Sequence, residues 1–456
     1  MAEQQMRLGA FLFGLGHHQA AWRHPDVDPA SLLGFDHFRG CVEVAEAAAF
    51  DAVFFADNVG LAGASLAGLS RGPQVYYWEP LTLLAALAPL TSHIGLIATV
   101  SASYTAPYHL ARKFASLDHL SGGRVGWNLV TSASDAEAQN FGLDAQIGHA
   151  ERYERATEYL EVVKGLWDTW DDDAFVFDKA QSRFFDPDKV RRLDHEGRFF
   201  SVRGPLQSSR PVQGYPVIVQ AGSSDDGRAL AGASAEVVFT AQQTLAGAQA
   251  FYADLKARAV AAGRRADQLL IMPGVMPIVG RTEAEAKARF QQLQDLVDPR
   301  AGLGLLSGFV GSDLSGYDLD GPFPDLPLTE GWQSRQQLFA EVAREDNLTL
   351  RELMHRVVSA RGHKVVVGTA EQVADFMESW FRNGAADGFN VMPAVLPSDL
   401  RAFTELVVPE LRRRGLFREA YSETTLRGHL GLDRPPRAPA PEPAPTAPTP
   451  EITNAG

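Results

Sequence analysis

The chain has 456 residues, 45% of them hydrophobic and 21% charged, a balance that supports a large buried core and excludes a wholly disordered or fibrous protein. Its 56 acidic and 42 basic residues give a formal charge of -14, which argues against nucleic acid and anionic membranes as partners, since those are met by a basic face. One cysteine, Cys41, excludes an internal disulfide and a Cys-rich zinc site, and there is no apolar run of about 18 residues to predict a membrane span.

In chain order, Leu8–Phe13 reads as a strand and Phe35–Ala49 as a helix. Ala52–Phe55 is a short, fully apolar strand. Pro80–Leu90 is helical, with Pro80 suited to the first turn. Ile94–Val100 is a β-branched strand, Pro107–Leu120 a helix, Val125–Val130 a strand and Glu151–Trp170 a long helix. Strands at Pro216–Gln220, Val237–Thr240 and Leu269–Val279 alternate with helices at Arg228–Ala233, Leu245–Ala262 and Thr282–Leu296. Thr282 and Glu285 fit a capping box. Lys364–Val367 and Phe389–Met392 are strands around a helix at Glu371–Phe381, and a last helix runs from about Leu400 to Arg414.

Strands apolar on both faces suit a parallel sheet covered by helices. About eight βα units are counted, which predicts an α/β protein of the (β/α)₈ TIM-barrel type. Length alone allows about three domains at roughly 150 residues each. The alternation instead predicts one barrel domain over 1–433. Two stretches, about 171–214 and 299–363, are too long for barrel connections and read as insertions. The second carries a Gly/Pro/Asp-rich loop, Ser312–Pro327, and a helix near Leu348–Ala360. Eight prolines between Pro435 and Pro450 mark 434–456 as a Pro/Ala-rich disordered tail. The N-terminus lacks the basic leader of a secretory signal, so a soluble cytoplasmic enzyme is expected.

Barrel chemistry gathers at the C-terminal ends of strands. Those positions hold His17, His18 and Trp22; Asp57 and Asn58; Ser101, Ser103 and Tyr104; Asn128, Thr131 and Ser132; and Ala221-Gly222-Ser223-Ser224. The last is a strand end, a flexible turn and a helix start. Its serines are either a plain helix cap or, with the free N–H groups of the first turn, a seat for an anion. His149 and Tyr153, four apart, share a helix face. They are either helix-end surface residues or the wall of a phosphate site. Asp57 either caps the next segment or accepts hydrogen bonds from a cofactor. His17 and His18 are adjacent and point apart, with no acidic residue at ligand spacing, so no metal site is expected. The common nucleophile-elbow, P-loop and C-x-x-C motifs are missing.

Several blocks of sequence resemble the nitrilotriacetate and dibenzothiophene-sulfone monooxygenases of the bacterial luciferase-like superfamily. They are Leu-Gly-Ala-Phe at 8–11, Gly-His-His-Gln-Ala-Ala-Trp-Arg-His-Pro at 16–25 and Phe-Asp-Ala-Val-Phe-Phe-Ala-Asp at 50–57. The most specific is Ala-Ser-Leu-Asp-His-Leu-Ser-Gly-Gly-Arg-Val-Gly-Trp-Asn-Leu-Val-Thr-Ser at 115–132. Val-Gln-Ala-Gly-Ser-Ser at 219–224, Gly-Phe-Asn-Val-Met-Pro at 388–393 and Val-Pro-Glu-Leu-Arg-Arg-Arg-Gly-Leu-Phe-Arg at 408–418 follow in family order. The likeness runs from about Leu8 to Leu432.

The resemblance implies a luciferase-like barrel with insertions, FMN used as FMNH2, and O2 as oxidant. It implies a separate NAD(P)H-dependent flavin reductase and a homo-oligomer. The reaction implied is oxygenation of a small organic molecule, by C–S or C–N cleavage or by hydroxylation. Asp57, Ser101 and Asn128 would face the flavin ring or ribityl chain, and His149, Tyr153, Gly222, Ser223 and Ser224 its phosphate. Ala102 stands where relatives often carry Thr, so the hydroxyl contact at that strand end is lost or moved to Ser101 or Ser103. His17, His18, Trp22 and Tyr104 are the candidates for the substrate pocket, with no general acid or base assigned. The alternatives in view are a deazaflavin-dependent oxidoreductase of the same fold and a flavin-binding protein without turnover.

Overall fold

The computed structural model describes residues 5–61, 66–76, 78–329 and 333–439. The main sheet has nine strands: β1 (Arg7–Phe11), β2 (Ala52–Phe55), β3 (Gly95–Ser101), β4 (Val125–Val130), β5 (Val217–Gln220), β6 (Val237–Thr240), β7 (Leu270–Val279), β8 (Lys364–Gly368) and β9 (Gly388–Val391). Eight of them close a parallel ring in the order β1-β2-β3-β4-β5-β6-β7-β9, with β9 pairing back onto β1. The strand left over from the ring is β8. It pairs with the outer half of β7, Val275–Val279, while β9 takes Gly274 and Val275. The ten-residue length of β7 serves both partners.

The ring explains why the strands show no polar alternation. Ala52 and Phe54 of β2 point into the barrel interior, whereas Val53 and Phe55 pack under the helices. Both faces are dry, as a helix-covered parallel sheet requires. The covering helices are α1 (Phe35–Ala47), α2 (Pro80–Leu87), α3 (Pro107–Ser121), α4 (His149–Trp167), α5 (Asp225–Ser234), α6 (Leu245–Ala261) and α7 (Glu283–Asp295). Thr282 caps α7 by accepting the Glu285 N–H, and the Glu285 side chain accepts from Arg281 N–H. The reciprocal half of the expected box is thus displaced by one residue.

The N-terminal end of the barrel is stoppered by a short helix, Leu426–Leu430. Leu426 reaches the interior cluster and sits against Gly95 and Gly126. A Cβ at Gly95 would collide with the Leu426 methyl, so the close approach demands glycine there.

The insertions differ in kind. Residues 171–214 form two small hairpins, Phe175–Asp178 with Arg183–Phe185, and His195–Glu196 with Ser201–Val202. Residues 299–363 hold three helices, α8 (Pro299–Val310), α9 (Gln333–Glu345) and α10 (Leu350–Ala360). These have a core of their own that includes Leu306, Phe339, Leu353 and Val357. The sequence expectation had only the last of the three. In α8 the run Gly302, Gly304, Gly308 hides the helical period, and Gly302 is needed because Met354 of α10 packs against it. Helix α11 (Ala370–Arg382) lies between β8 and β9, and the helix expected from about Leu400 to Arg414 follows β9 as Ser398–Ala402, a π-helical turn Phe403–Val407 and Val408–Arg413.

The described start of the expected tail is tied down. Arg434 pairs with Asp172 at 2.6 Å, Arg437 pairs with Asp171, and the Ala438 N–H donates to Asp168 at 3.0 Å. Residues 440–456 lie outside the described residues. Among the described residues no helix is long and apolar enough to cross a membrane.

Candidate functional site

A cavity of about 1450 Å³ opens at the C-terminal mouth of the barrel. Its floor is aromatic. Phe11, Phe54 and Phe239 meet there with ring centroids 4.8 to 5.7 Å apart. Its far wall comes from the 299–363 insertion, through residues such as Ala301, Leu303 and Leu338 of α8 and α9. Among the expected residues, Asp57, Asn128, His149, Tyr153, Gly222, Ser223 and Ser224 line this one cavity.

Asn128 and Thr99 are partners in the β3–β4 ladder and both face inward. The Asn128 side-chain amide donates to the Thr99 hydroxyl at 2.9 Å. The Asn128 Oδ1 is buried and has no partner in the protein. Such a group costs roughly 1–3 kcal/mol unless a ligand or water meets it. Asp57 follows β2, and one of its carboxylate oxygens accepts the N–H of Asn58 at 2.9 Å. Burial pushes its pKa up to about 6; Glu79 and Glu137 add to the rise, and the Asn58 N–H opposes it. At neutral pH Asp57 is mainly an acceptor, and near pH 6 it becomes half donor.

At the other end of the mouth, Ser224 caps α5 by accepting the Gly227 N–H at 3.2 Å. The N–H groups of Asp225 and Asp226 remain free of intrahelical partners, as in any first turn. The two acidic side chains would repel an anion there, but both are already paired. Asp225 pairs with Arg258 at 2.6 Å and Asp226 with His149 at 3.1 Å. The Tyr153 hydroxyl stands over the turn, 3.1 Å from a Cβ placed at Gly222 and 3.0 Å from one placed at Gly227. The glycines therefore keep the turn open beneath the hydroxyl. His149 and Tyr153 share their face of α4, with ring centroids 5.0 Å apart. N–H groups, a phenol and an imidazole converging on a turn without side chains make a cradle that fits a phosphate.

Five expected residues do not line the cavity. The Ser101 hydroxyl pairs with that of Ser132 at 2.9 Å, and it is Ser132 that lines the wall. His17 is fully buried behind the floor, its Nε2 donating to the Phe11 carbonyl at 2.9 Å. Burial and the neighbouring Arg361 hold its pKa well below the usual imidazole range. His18 is also fully buried, its Nδ1 accepting the Ala20 N–H at 3.2 Å, and burial pushes its pKa down to about 4. Trp22 packs against the layer between barrel and helices. Tyr104 stacks on Phe141 at 4.7 Å and 4°. For the residues that follow β1 the reason is local: β1 ends at Phe11, and Phe13 and Gly16 fold the chain back so that Phe11 and Phe13 cover His17. No group of three His, Cys, Asp or Glu residues suited to a metal ion occurs among the described residues.

Sequence reasoning missed several wall residues. Thr99 was visible as the polar position in the β-branched run of β3, two residues before Ser101. Arg335, Arg361 and His363 were not visible, because they come from the insertion and its return to β8.

The family model described as luciferase-like monooxygenase matches residues 6–387. The chain is 48% identical over 436 residues to the N-acetyl-S-(2-succino)cysteine monooxygenase of Bacillus subtilis (strain 168), covering 95% of this chain and 98% of that relative. It is 47% identical over 444 residues to nitrilotriacetate monooxygenase component A of Aminobacter aminovorans, with the same coverage. Among solved structures, a riboflavin lyase with modified FMN and riboflavin aligns with TM-score 0.86 and 34% identity. That alignment covers 94% of this chain and 96% of the lyase.

Proposed function

Because the chain belongs to the luciferase-like monooxygenase family, we propose that it binds reduced FMN across the barrel mouth and oxygenates a small organic substrate with O2. A separate NAD(P)H-dependent reductase would deliver the flavin. The name of one relative, component A, and the modified FMN in another support this reading.

The observation that carries it is the pairing of two half-sites on one cavity. The phosphate would lie on the turn Gly222–Ser224 under Tyr153, with His149 beside it. The ring and ribityl chain would reach Asn128 and Asp57. The unpartnered Asn128 Oδ1 and the side-chain-free turn are both features that a phosphorylated flavin would satisfy. The bound flavin supplies the reducing electrons and the oxygen chemistry. The chain's own residues bind, orient and exclude water. Asn128 accepts a hydrogen bond at Oδ1, Asp57 accepts one at its carboxylate, and the aromatic floor keeps the reacting end dry. The α8–α10 insertion covers the mouth as a wall against solvent.

Anaerobic titration with chemically reduced FMN, followed by quenching of Trp fluorescence, tests the reading. Saturable quenching by reduced FMN and not by a reduced deazaflavin is expected. Preference for the deazaflavin, or no saturation by either, overturns it.

A further inference from the structure

The insertion places two guanidinium groups over the aromatic floor. Arg335 is on α9, and Arg361 follows α10. Both line the cavity. Arg361 lies over the Phe13 ring, 3.7 Å from its centroid. His363 stacks on Phe239 at 4.7 Å and 11°, and so stands directly on the floor. Arg335 Nη2 donates to His363 Nε2 at 2.9 Å. A guanidinium only donates, so His363 accepts and is neutral, with its proton on Nδ1. Burial, with Arg335, His17 and Arg361 nearby, holds its pKa well below the usual range.

Arg335 is the group without an explanation. Its Nη1 is shut from solvent and has no hydrogen-bond partner. Among the described residues its polar partner is a neutral imidazole, and its nearest charged influence is another cation, Arg361. Burial and that cation push its pKa down to about 10, which leaves it charged at neutral pH. A half-buried guanidinium with one nitrogen shut from solvent, and no carboxylate beside it among the described residues, carries an unmet desolvation cost. The other acids of the wall, Asp57 and Glu137, belong to the β2 and β4 side of the mouth, and Asp313 and Glu341 are exposed. Nothing in the flavin reading uses Arg335, because the phosphate cradle is built from α4 and α5.

We propose that the substrate is an organic carboxylate, whose anionic end seats on Arg335 beside Arg361 while its apolar portion lies on Phe11, Phe54 and Phe239. This names the substrate class for the monooxygenase reading above and rests on it. The insertion then has two tasks, to exclude water and to select for charge.

Calorimetric titration of the full-length protein with 3-phenylpropanoate and with its neutral amide, 3-phenylpropanamide, tests the assignment with and without FMN. One charge-assisted contact is worth about 1.5–3 kcal/mol, so the acid should bind about 10- to 100-fold tighter than the amide. Arg335→Gln should abolish that preference and leave FMN affinity unchanged. It should also raise the melting temperature of the ligand-free protein, since a cation with no counter-charge among the described residues is removed. Arg335→Lys should keep most of the preference. Equal binding of acid and amide by the parent protein overturns the proposal. So does Arg335→Gln with the preference intact, or with FMN affinity lost in its place, which would put the cation on the flavin. Intact acid preference without any FMN binding would uphold the carboxylate seat and bring down the flavin reading alone.

Discussion

Asn128 donates its side-chain amide to the hydroxyl of Thr99, its ladder partner on the next strand, and is left with an unpaired carbonyl oxygen at the cavity wall. The first bond fixes the orientation of the amide, and the orphaned oxygen then points to a ligand donor. Asn128→Ala should weaken FMN binding by about 1–2 kcal/mol, roughly 5- to 30-fold, with the melting temperature of the ligand-free protein nearly unchanged. Fluorescence titration measures the first and a thermal melt the second. A large drop in melting temperature with normal FMN affinity would mean that the pair serves the barrel and not the ligand.

Asp57 predicts a pH dependence with a definite sign. Its pKa in the fold is about 6, raised first by burial, against about 3.9 in the unfolded chain. A raised carboxyl contributes stability that is fully present below pH about 4 and lost as the pH climbs through about 6. At pH 7.5 the carboxylate therefore costs the ligand-free protein stability. Discounted for its partial exposure, that rise corresponds to about 1–2 kcal/mol. Asp57→Asn should raise the unfolding free energy in urea by that amount at pH 7.5 and change it little at pH 4. The same variant should bind FMN more weakly. A stability gain equal at both pH values would remove the burial argument.

The turn at Gly222 predicts a loss confined to phosphate. A Cβ there would lie 3.0 Å from the Gly227 Cα and 3.1 Å from the Tyr153 hydroxyl, tighter than side chains normally pack. Gly222→Ala should push the hydroxyl off the turn. Tyr153→Phe should remove it. Each should cost FMN about 1.5–3 kcal/mol, the worth of a contact to a charged group, and leave riboflavin affinity alone. Equal weakening of FMN and riboflavin in both variants would place the phosphate elsewhere in the cavity.

Much of this architecture can be read from the chain itself, for a physical reason. The staves β2, β4 and β6 were bounded to the residue because each is a short apolar run between turn formers. The cavity-lining residues on or just after staves, Asn128 within β4, Asp57 and Gly222–Ser224, were named for the same reason: their place is fixed by local chain geometry. What failed was everything set by packing between distant segments. His17 and His18 look like mouth residues, yet the turn after β1 buries both, His17 under Phe11 and Phe13. β8 has the composition of a stave, and only its pairing with the outer half of β7 removes it from the ring. Helix α8 is masked by its glycines, and Arg335, Arg361 and His363 reach the floor by a path no local pattern encodes.

The stopper at the opposite end of the barrel separates stability from binding. Leu426 is fully buried, belongs to the interior cluster with Ile97 and Val217, and fills the space that Gly95 and Gly126 leave. It lies at the N-terminal end of the staves, and the cavity at the C-terminal end. Leu426→Ala removes a fully buried side chain from the interior cluster, so the cost should fall in the usual range of about 2–5 kcal/mol. Gly95→Ala should be comparably damaging by the opposite route, since its methyl would overlap Leu426 and crowd the Asp51 carbonyl oxygen. The double variant, Gly95→Ala with Leu426→Ala, should recover part of the loss, because the added methyl then occupies space the leucine has left. Urea unfolding of the three variants gives the coupling energy, and FMN titration of each at low urea should return the parent affinity. Strictly additive losses would show that the two residues do not compete for one space, and the stopper would not be the reason for glycine at position 95.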